Sequence, residues 1–375
     1  MRYLLRSTFC ALLLALAACS INLTEAPPLT AIPPATALPT SAPNAPPTPT
    51  LIVAASPTPI PPQWANLNLT GRLIFNQPKF GLSQLDLVTG ALTTIFPLPE
   101  DGWITGAALA PDGQAWVMAY APPPPSDQVQ LGYTDLYLLP LGGTEPKIVL
   151  ARSDPQESFF SPLWSAQGDY IYFAHFKPLR AENGTPPPVP YLYTIERMAY
   201  PGGMLEVLVT NAFWPALSPD GTKLAFVGSD PETFLNDLYI ANADGTDLTK
   251  IVPPDSFEAV DAPFFSPDGS AIVFSAVGEG PQALRLIDQL LGVSTVFAAP
   301  AEHSVPSDWW SVPVTGGQPT RLTRIYDTSL FGDYAPDGEH IAFISATGIY
   351  VMSPEGGNVY PLSGLLAFGS VEWVP

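Results

Sequence analysis

The chain has 375 residues, 46% of them hydrophobic, and carries 34 acidic residues against 14 basic ones, for a net charge of −20. That apolar share is ample for a sizeable core and excludes a wholly disordered protein, while the shortage of Lys and Arg excludes a nucleic-acid backbone as partner and favours cationic company. The 47 prolines are about two and a half times the usual share and are unevenly placed, densest before residue 63, which points to a tract rather than a uniform bias.

In chain order, Arg2 and Arg6 make a short positive start and Thr8 to Ala17 supply an apolar run of about ten residues, the pattern of a secretory signal and too short for a membrane span. The end of that run, Leu16-Ala17-Ala18-Cys19, resembles a bacterial lipobox, which implies cleavage before Cys19 and lipidation of its sulfur. Residues 1–18 are then a lipoprotein signal peptide, and Cys10 leaves with it. The fold must stand without a disulfide despite an exported setting. Residues 19–62 are rich in Pro, Thr, Ala and Ser, with Glu25 as the single charge. Such a composition cannot bury enough apolar surface to fold, and at about 3.1 Å per residue it reaches on the order of 130 Å when stretched. It is expected to be a disordered stalk.

From residue 64 onward one unit recurs. LAPDGQAWVM at 109–118, LSPDGTKLAF at 217–226, FSPDGSAIVF at 265–274 and YAPDGEHIAF at 334–343 share a turn in which Pro presets the first corner, Asp hydrogen-bonds backbone amides and Gly accepts the positive φ. The turn glycines fall at Gly71 (a degenerate copy), Gly113, Gly168, Gly221, Gly269 and Gly338, spacings suited to four-stranded blades with variable loops. The strands that follow, such as AWVMAY, KLAFVG and AIVFSA, are apolar on both faces, so each sheet is covered on both sides, as blades around an axis are. Residues 63–375 are therefore expected to form an all-β, six-bladed β-propeller. Its first unit lacks an opening strand, and Trp373-Val374-Pro375 matches Phe265-Ser266-Pro267, so the C-terminal strand is expected to close the ring.

Units of the form FSPDGxxIAF…DLYIxNADGxxLTxI resemble TolB-type, WD-like six-bladed propellers over about residues 64–375. That resemblance implies an extracytoplasmic scaffold that binds protein or peptide partners. The chain departs from TolB in lacking an α/β domain before the propeller and in carrying the lipobox and stalk instead.

In this strand order the long loops, 121–132, 177–190, 228–236 and 278–308, share the rim opposite the P-D-G turns, and variable loops on a rigid ring make binding surfaces. Within the last, Leu284, Ile287 and Leu291 share a helical face, which predicts a short helix over 283–291. The approaches to the innermost strands carry Glu100, Asp101, Asp154, Glu157, Asp255, Glu258, Asp261, Asp327 and Asp333, interleaved with Trp103, Phe160, Trp214, Phe257 and Tyr326. Carboxylates about 4 Å apart repel by roughly 1 to 4 kcal/mol, so such a ring either spreads out or recruits a cation or a basic ligand; no other cofactor is expected. There is no G-x-S-x-G elbow and no H-E-x-x-H, and His175, His303 and His340 are scattered over separate units. The expected activity is non-catalytic: a lipid-anchored, monomeric scaffold of the bacterial envelope holding a protein, peptide or envelope polymer at its acidic, aromatic rim. The alternative is a carbohydrate-active hydrolase or lyase using two rim carboxylates.

Overall fold

The computed structural model describes residues 62–375 apart from 127, 130–131, 182–184, 186, 188, 231–235, 255 and 279–304. The signal, the stalk, Cys19, Asp255 and the helix expected over 283–291 lie outside the described residues.

The described chain forms 24 strands in six four-stranded antiparallel sheets. The first blade opens with β1 (Arg72–Gln77), β2 (Gly81–Asp86) and β3 (Leu92–Pro97). The second is β4 (Trp103–Leu109), β5 (Ala115–Ala121), β6 (Asp135–Pro140) and β7 (Lys147–Leu150). β8 (Ser158–Trp164), β9 (Tyr170–Pro178), β10 (Tyr191–Ala199) and β11 (Leu205–Thr210) make the third. The fourth is β12 (Ala212–Leu217), β13 (Lys223–Ser229), β14 (Asn236–Asn242) and β15 (Thr249–Lys250). The fifth is β16 (Phe257–Phe265), β17 (Ala271–Gly278), β18 (Asp308–Pro313) and β19 (Thr320–Arg321), and the sixth β20 (Phe331–Tyr334), β21 (Ile341–Ser345), β22 (Gly348–Met352) and β23 (Val359–Ser363).

The last strand, β24 (Phe368–Val374), returns to the first blade and pairs with β1, setting Leu73 opposite Trp373 and Phe75 opposite Val371. The expected closure is therefore seen. Each innermost strand packs on the next, from β4 through β8, β12, β16 and β20 to β24 and back to β4, which makes the assembly a closed ring. The six units and the both-faced burial of the second strands also stand: β5, β13, β17 and β21 are buried along nearly their whole length. Side chains from adjacent blades fill the space between sheets, as where Phe264 and Trp309 of the fifth blade meet Phe343 and Tyr334 of the sixth.

The P-D-G aspartates serve the turns. Asp268 accepts from Ser266 Oγ at 2.6 Å and from the Ser270 amide at 3.0 Å, and these hydrogen bonds, Ser266 foremost, bring its carboxyl down to about 2. Asp220 accepts likewise from Ser218 Oγ and from the Thr222 amide, and these hydrogen bonds, Ser218 foremost, lower its carboxyl.

Candidate functional site

Every innermost strand runs towards the rim that carries the P-D-G turns, so its start, together with the loops between second and third strands, lies on the other rim. On that rim, between the first, second, third and fourth blades, an open cleft of about 340 Å³ is lined by Thr105, Gly132, Tyr133, Ser158, Phe160, Phe176, Tyr193, Trp214, Phe368 and Gly369. Aromatic rings dominate this wall, and no described residue that lines it is charged. Phe160 stands nearly perpendicular to Tyr193 (85°, centroids 6.0 Å apart) and to Trp214 (73°, 5.4 Å), the edge-to-face arrangement aromatic quadrupoles favour.

Strand alternation supplies the cleft's support. Phe176 and Tyr193 are paired across β9 and β10 and face the cleft, so the adjoining pair, His175 and Thr194, faces away from it. There Glu196, fully buried, accepts from Lys177 Nζ at 2.6 Å and Thr194 Oγ1 at 2.7 Å, with His175 Nδ1 at 3.1 Å. Burial pushes the Glu196 carboxyl up, but the hydrogen bonds from His175, Lys177 and Thr194 outweigh it and hold the group at about 2. This charged network pins the cleft wall from behind.

Behind the cleft runs the axial channel, about 430 Å³, lined by the innermost strands of all six blades. Trp214 and Gly369 line both spaces, which therefore adjoin. Trp214 sits with φ at 52°, and Ser161 and Ala262, at the corresponding place of the neighbouring innermost strands, are left-handed too, where register shifts bulge the inner edge of each sheet. Such strain persists only where the surroundings impose it.

Two carboxyls project into the channel from matching sequences in adjacent blades, Asp333-Tyr334-Ala335-Pro336 and Glu372-Trp373-Val374-Pro375. Each meets a backbone amide of the next blade: Asp333 Oδ2 accepts from Trp373 N at 2.8 Å and Glu372 Oε2 from Leu109 N at 2.9 Å. The remaining blades carry Ala108, Leu163, Ala216 and Phe264 at this place. Both groups lie deep in the ring while keeping contact with the channel space. Burial raises Asp333 to about 7 and Glu372 to about 8, the Asp333 charge adding to the latter. Among the described residues no group of three or more His, Cys, Asp or Glu side chains gathers to hold a metal ion.

The residues singled out in the sequence disperse into several roles. Trp214 and Phe160 line the cleft, and Trp103, 38% exposed, stands at its lip against Phe368 with centroids 5.8 Å apart. Glu100 and Asp101 are exposed in the turn just before Trp103. Asp154 is held below the usual carboxylate range by the Gln156 amide and by its ion pair with Arg180. Burial would raise Glu157, but Ser153 donates to it through both N–H and hydroxyl and keeps it low. Asp327 takes hydrogen bonds from Ser345, Thr347 and the Thr328 amide, and these overcome its burial. Glu258 is partly buried on β16, and Asp261 is buried there, accepting from the Ala262 amide at 2.9 Å. Phe257 belongs to the core, against Phe274 and Trp310, and Tyr326 is exposed beneath the Arg321 guanidinium. Asp333 lies in the channel rather than on the rim, because it falls late in its innermost strand. Sequence reasoning missed Glu372, although its match to Asp333 is visible in the motif, and it missed Tyr133, Phe176, Tyr193 and Phe368, whose convergence comes from four separate strands and loops.

No protein-family model matches the chain. An uncharacterized protein of Agrobacterium fabrum is 24% identical over 196 residues, which is 46% of this chain and 56% of that relative, so the match spans little more than half of the relative's length. Among solved structures, a TolB-type protein of Agrobacterium tumefaciens superposes with a TM-score of 0.50 at 18% identity, covering 81% of this chain and 98% of that one. TolB from Acinetobacter baumannii gives 0.54 at 13%, covering 80% and 66%, and a chain of the nidogen/laminin complex gives 0.54 at 12%, covering 80% and 97%. At such identities the likeness is one of fold, and the chain is a TolB-like six-bladed β-propeller.

Proposed function

We propose that the protein is a non-catalytic binding scaffold of the bacterial envelope, monomeric, anchored through lipid on Cys19, that holds a protein or peptide partner at its loop-rich rim. The observation that carries this reading is the open aromatic cleft on that rim, walled by Phe160, Phe176, Tyr193 and Trp214 and backed by a buried charged network. Trp64, whose indole donates to Leu87 O at 2.7 Å, and Pro62, beside Gly90, set the start of the described chain next to the turn between β2 and β3, on the P-D-G side. No helix among the described residues is long and apolar enough to cross a membrane. The hydrolase or lyase reading is weaker, because Asp154, Glu157 and Asp327 are already bound by Arg180, Ser153, Ser345 and Thr347.

The test is capture from solubilised envelope of the parent cells by the purified protein, its Trp103→Ala/Phe176→Ala variant and a control altered on the P-D-G rim, Gln114→Ala/Glu339→Ala, with each captured component identified and re-bound in purified form. Rebinding lost only in the cleft variant supports the scaffold. Rebinding that follows the P-D-G variant, or release of shortened glycan from envelope polymers, would overturn it.

A further inference from the structure

We infer that the aromatic cleft takes an arginine side chain of a basic partner; this rests on the rim-binding reading above and specifies its ligand. A cation is drawn to the negative face of an aromatic ring, more strongly where water is excluded. The rings of Phe160, Phe176, Tyr193, Trp214 and Phe368 line the cleft, and Phe160 stands nearly perpendicular to both Tyr193 and Trp214, so ring planes of more than one orientation wall it. Charge agrees with this choice. The chain's net charge is −20, and exposed Glu100 and Asp101 precede Trp103, which touches the cleft residues Gly132 and Phe368. Anions are repelled, and cations are concentrated at the lip.

Within the cleft, however, the described lining carries hydroxyls (Thr105, Tyr133, Tyr193, and Ser158, which already bonds Thr134) and no carboxylate. This selects among cations. A primary ammonium is a compact, strongly hydrated charge that loses much of its hydration here without a counter-ion, whereas a guanidinium is planar, weakly hydrated and stacks on aromatic faces while its edge N–H groups donate to hydroxyls. The chain's own guanidiniums show the stacking, each beside a carboxylate as well: Arg197 lies over Tyr170 at 4.6 Å while paired with Glu206, and Arg321 lies over Trp310 at 5.6 Å and over Tyr326 at 5.0 Å while paired with Asp308. The cleft volume of about 340 Å³ accommodates one such side chain with part of its backbone.

The experiment titrates the full protein with acetyl-Gly-Arg-Gly-amide and with the same peptide carrying citrulline, a neutral near-isostere, or lysine, followed by ligand-observed NMR at two salt concentrations. Phe176→Leu and Tyr193→Leu keep apolar volume while removing a ring, and their thermal unfolding reports whether they fold. The expected result is arginine bound about fivefold or more tightly than citrulline, and more tightly than lysine, with the preference lost in both variants. Citrulline bound as well as arginine, with both lost in the variants, would overturn the arginine assignment and leave rim binding standing. Arginine binding that ignores both folded variants, or lysine bound as tightly as arginine with steep salt dependence, would place the attraction on the surface acids and overturn it as well. Absence of any peptide binding overturns it too, since the comparison within the unaltered protein needs no variant.

Discussion

Removal of residues 370–375 takes away most of β24, and with it the inner strand of the first blade. Trp373 alone is 5% exposed, donates its indole N–H to Thr70 O at 2.9 Å and its amide to Asp333 at 2.8 Å, while Val371 and Val374 are buried beside it. Truncating such a tryptophan to alanine costs about 3–5 kcal/mol, and the orphaned Thr70 carbonyl adds about 1 kcal/mol. For a propeller of this length the transition shifts by roughly 1.5 °C per kcal/mol, so Trp373→Ala is expected to melt about 6–9 °C below the parent. The deletion adds the loss of the β1–β24 ladder and of two more buried valines, which exceeds what a typical domain of about 5–15 kcal/mol can spare. The truncated chain should therefore show no cooperative transition at all. Calorimetry with near-ultraviolet circular dichroism distinguishes these cases. A truncated protein that melts within a degree or two of the full chain would refute the argument that the ring is held by its last strand.

Glu372 and Asp333 give the channel a pH signature. Their carboxyls titrate near 8 and 7 in the folded ring but near 4 when unfolded. Between those limits the native state binds more protons, so stability should fall as pH rises from about 4 to 8, by at most about 1.4 kcal/mol per pH unit for each group. Glu372→Gln keeps an acceptor for Leu109 N and should flatten part of that slope in urea unfolding; parallel profiles for variant and parent would contradict the assignment. Glu196 runs the opposite way: its folded value near 2 lies below the unfolded carboxylate, so its stabilisation is full above about pH 4.3 and is lost as pH falls towards 2. Glu196→Gln should cost about 3–5 kcal/mol at pH 7 and converge with the parent in acid, and a constant gap would count against the network. At Gly369, φ is 88° and a Cβ would meet Thr105 O at 1.9 Å, so Gly369→Ala should cost at least the 1–3 kcal/mol or so of local strain and disturb the cleft it lines. A variant as stable as the parent would show that the inner edge can move.

The repeat was legible because it is written by local rules. Each P-D-G turn needs the same residue types for its own dihedral angles and hydrogen bonds, and each second strand is apolar on both faces because neighbouring blades cover it. Even the closure could be read, since Trp373-Val374-Pro375 carries the ending of an innermost strand that the first blade lacks. The acids were read less well. Asp154, Glu157 and Asp327 look alike as letters before an innermost strand, but their roles depend on Arg180, Ser153, Ser345 and Thr347, which only folding brings beside them. Asp333 changes from a rim acid to a channel acid because a few residues along a strand carry it from the mouth to the interior, and its partnership with Glu372 exists because the chain's end returns beside β20.

By itself, then, the order of residues determined the class of fold, the number of blades and the way the ring closes, all of which follow from turn chemistry and from the burial pattern of single strands. Beyond the rim and Trp103, Phe160 and Trp214, which the sequence pointed to, tertiary structure decided the site. The cleft is assembled from strands and loops of four blades, and its aromatic rings, separated by as many as 235 residues between Tyr133 and Phe368, become neighbours only when the ring sets the starts of the innermost strands around one mouth.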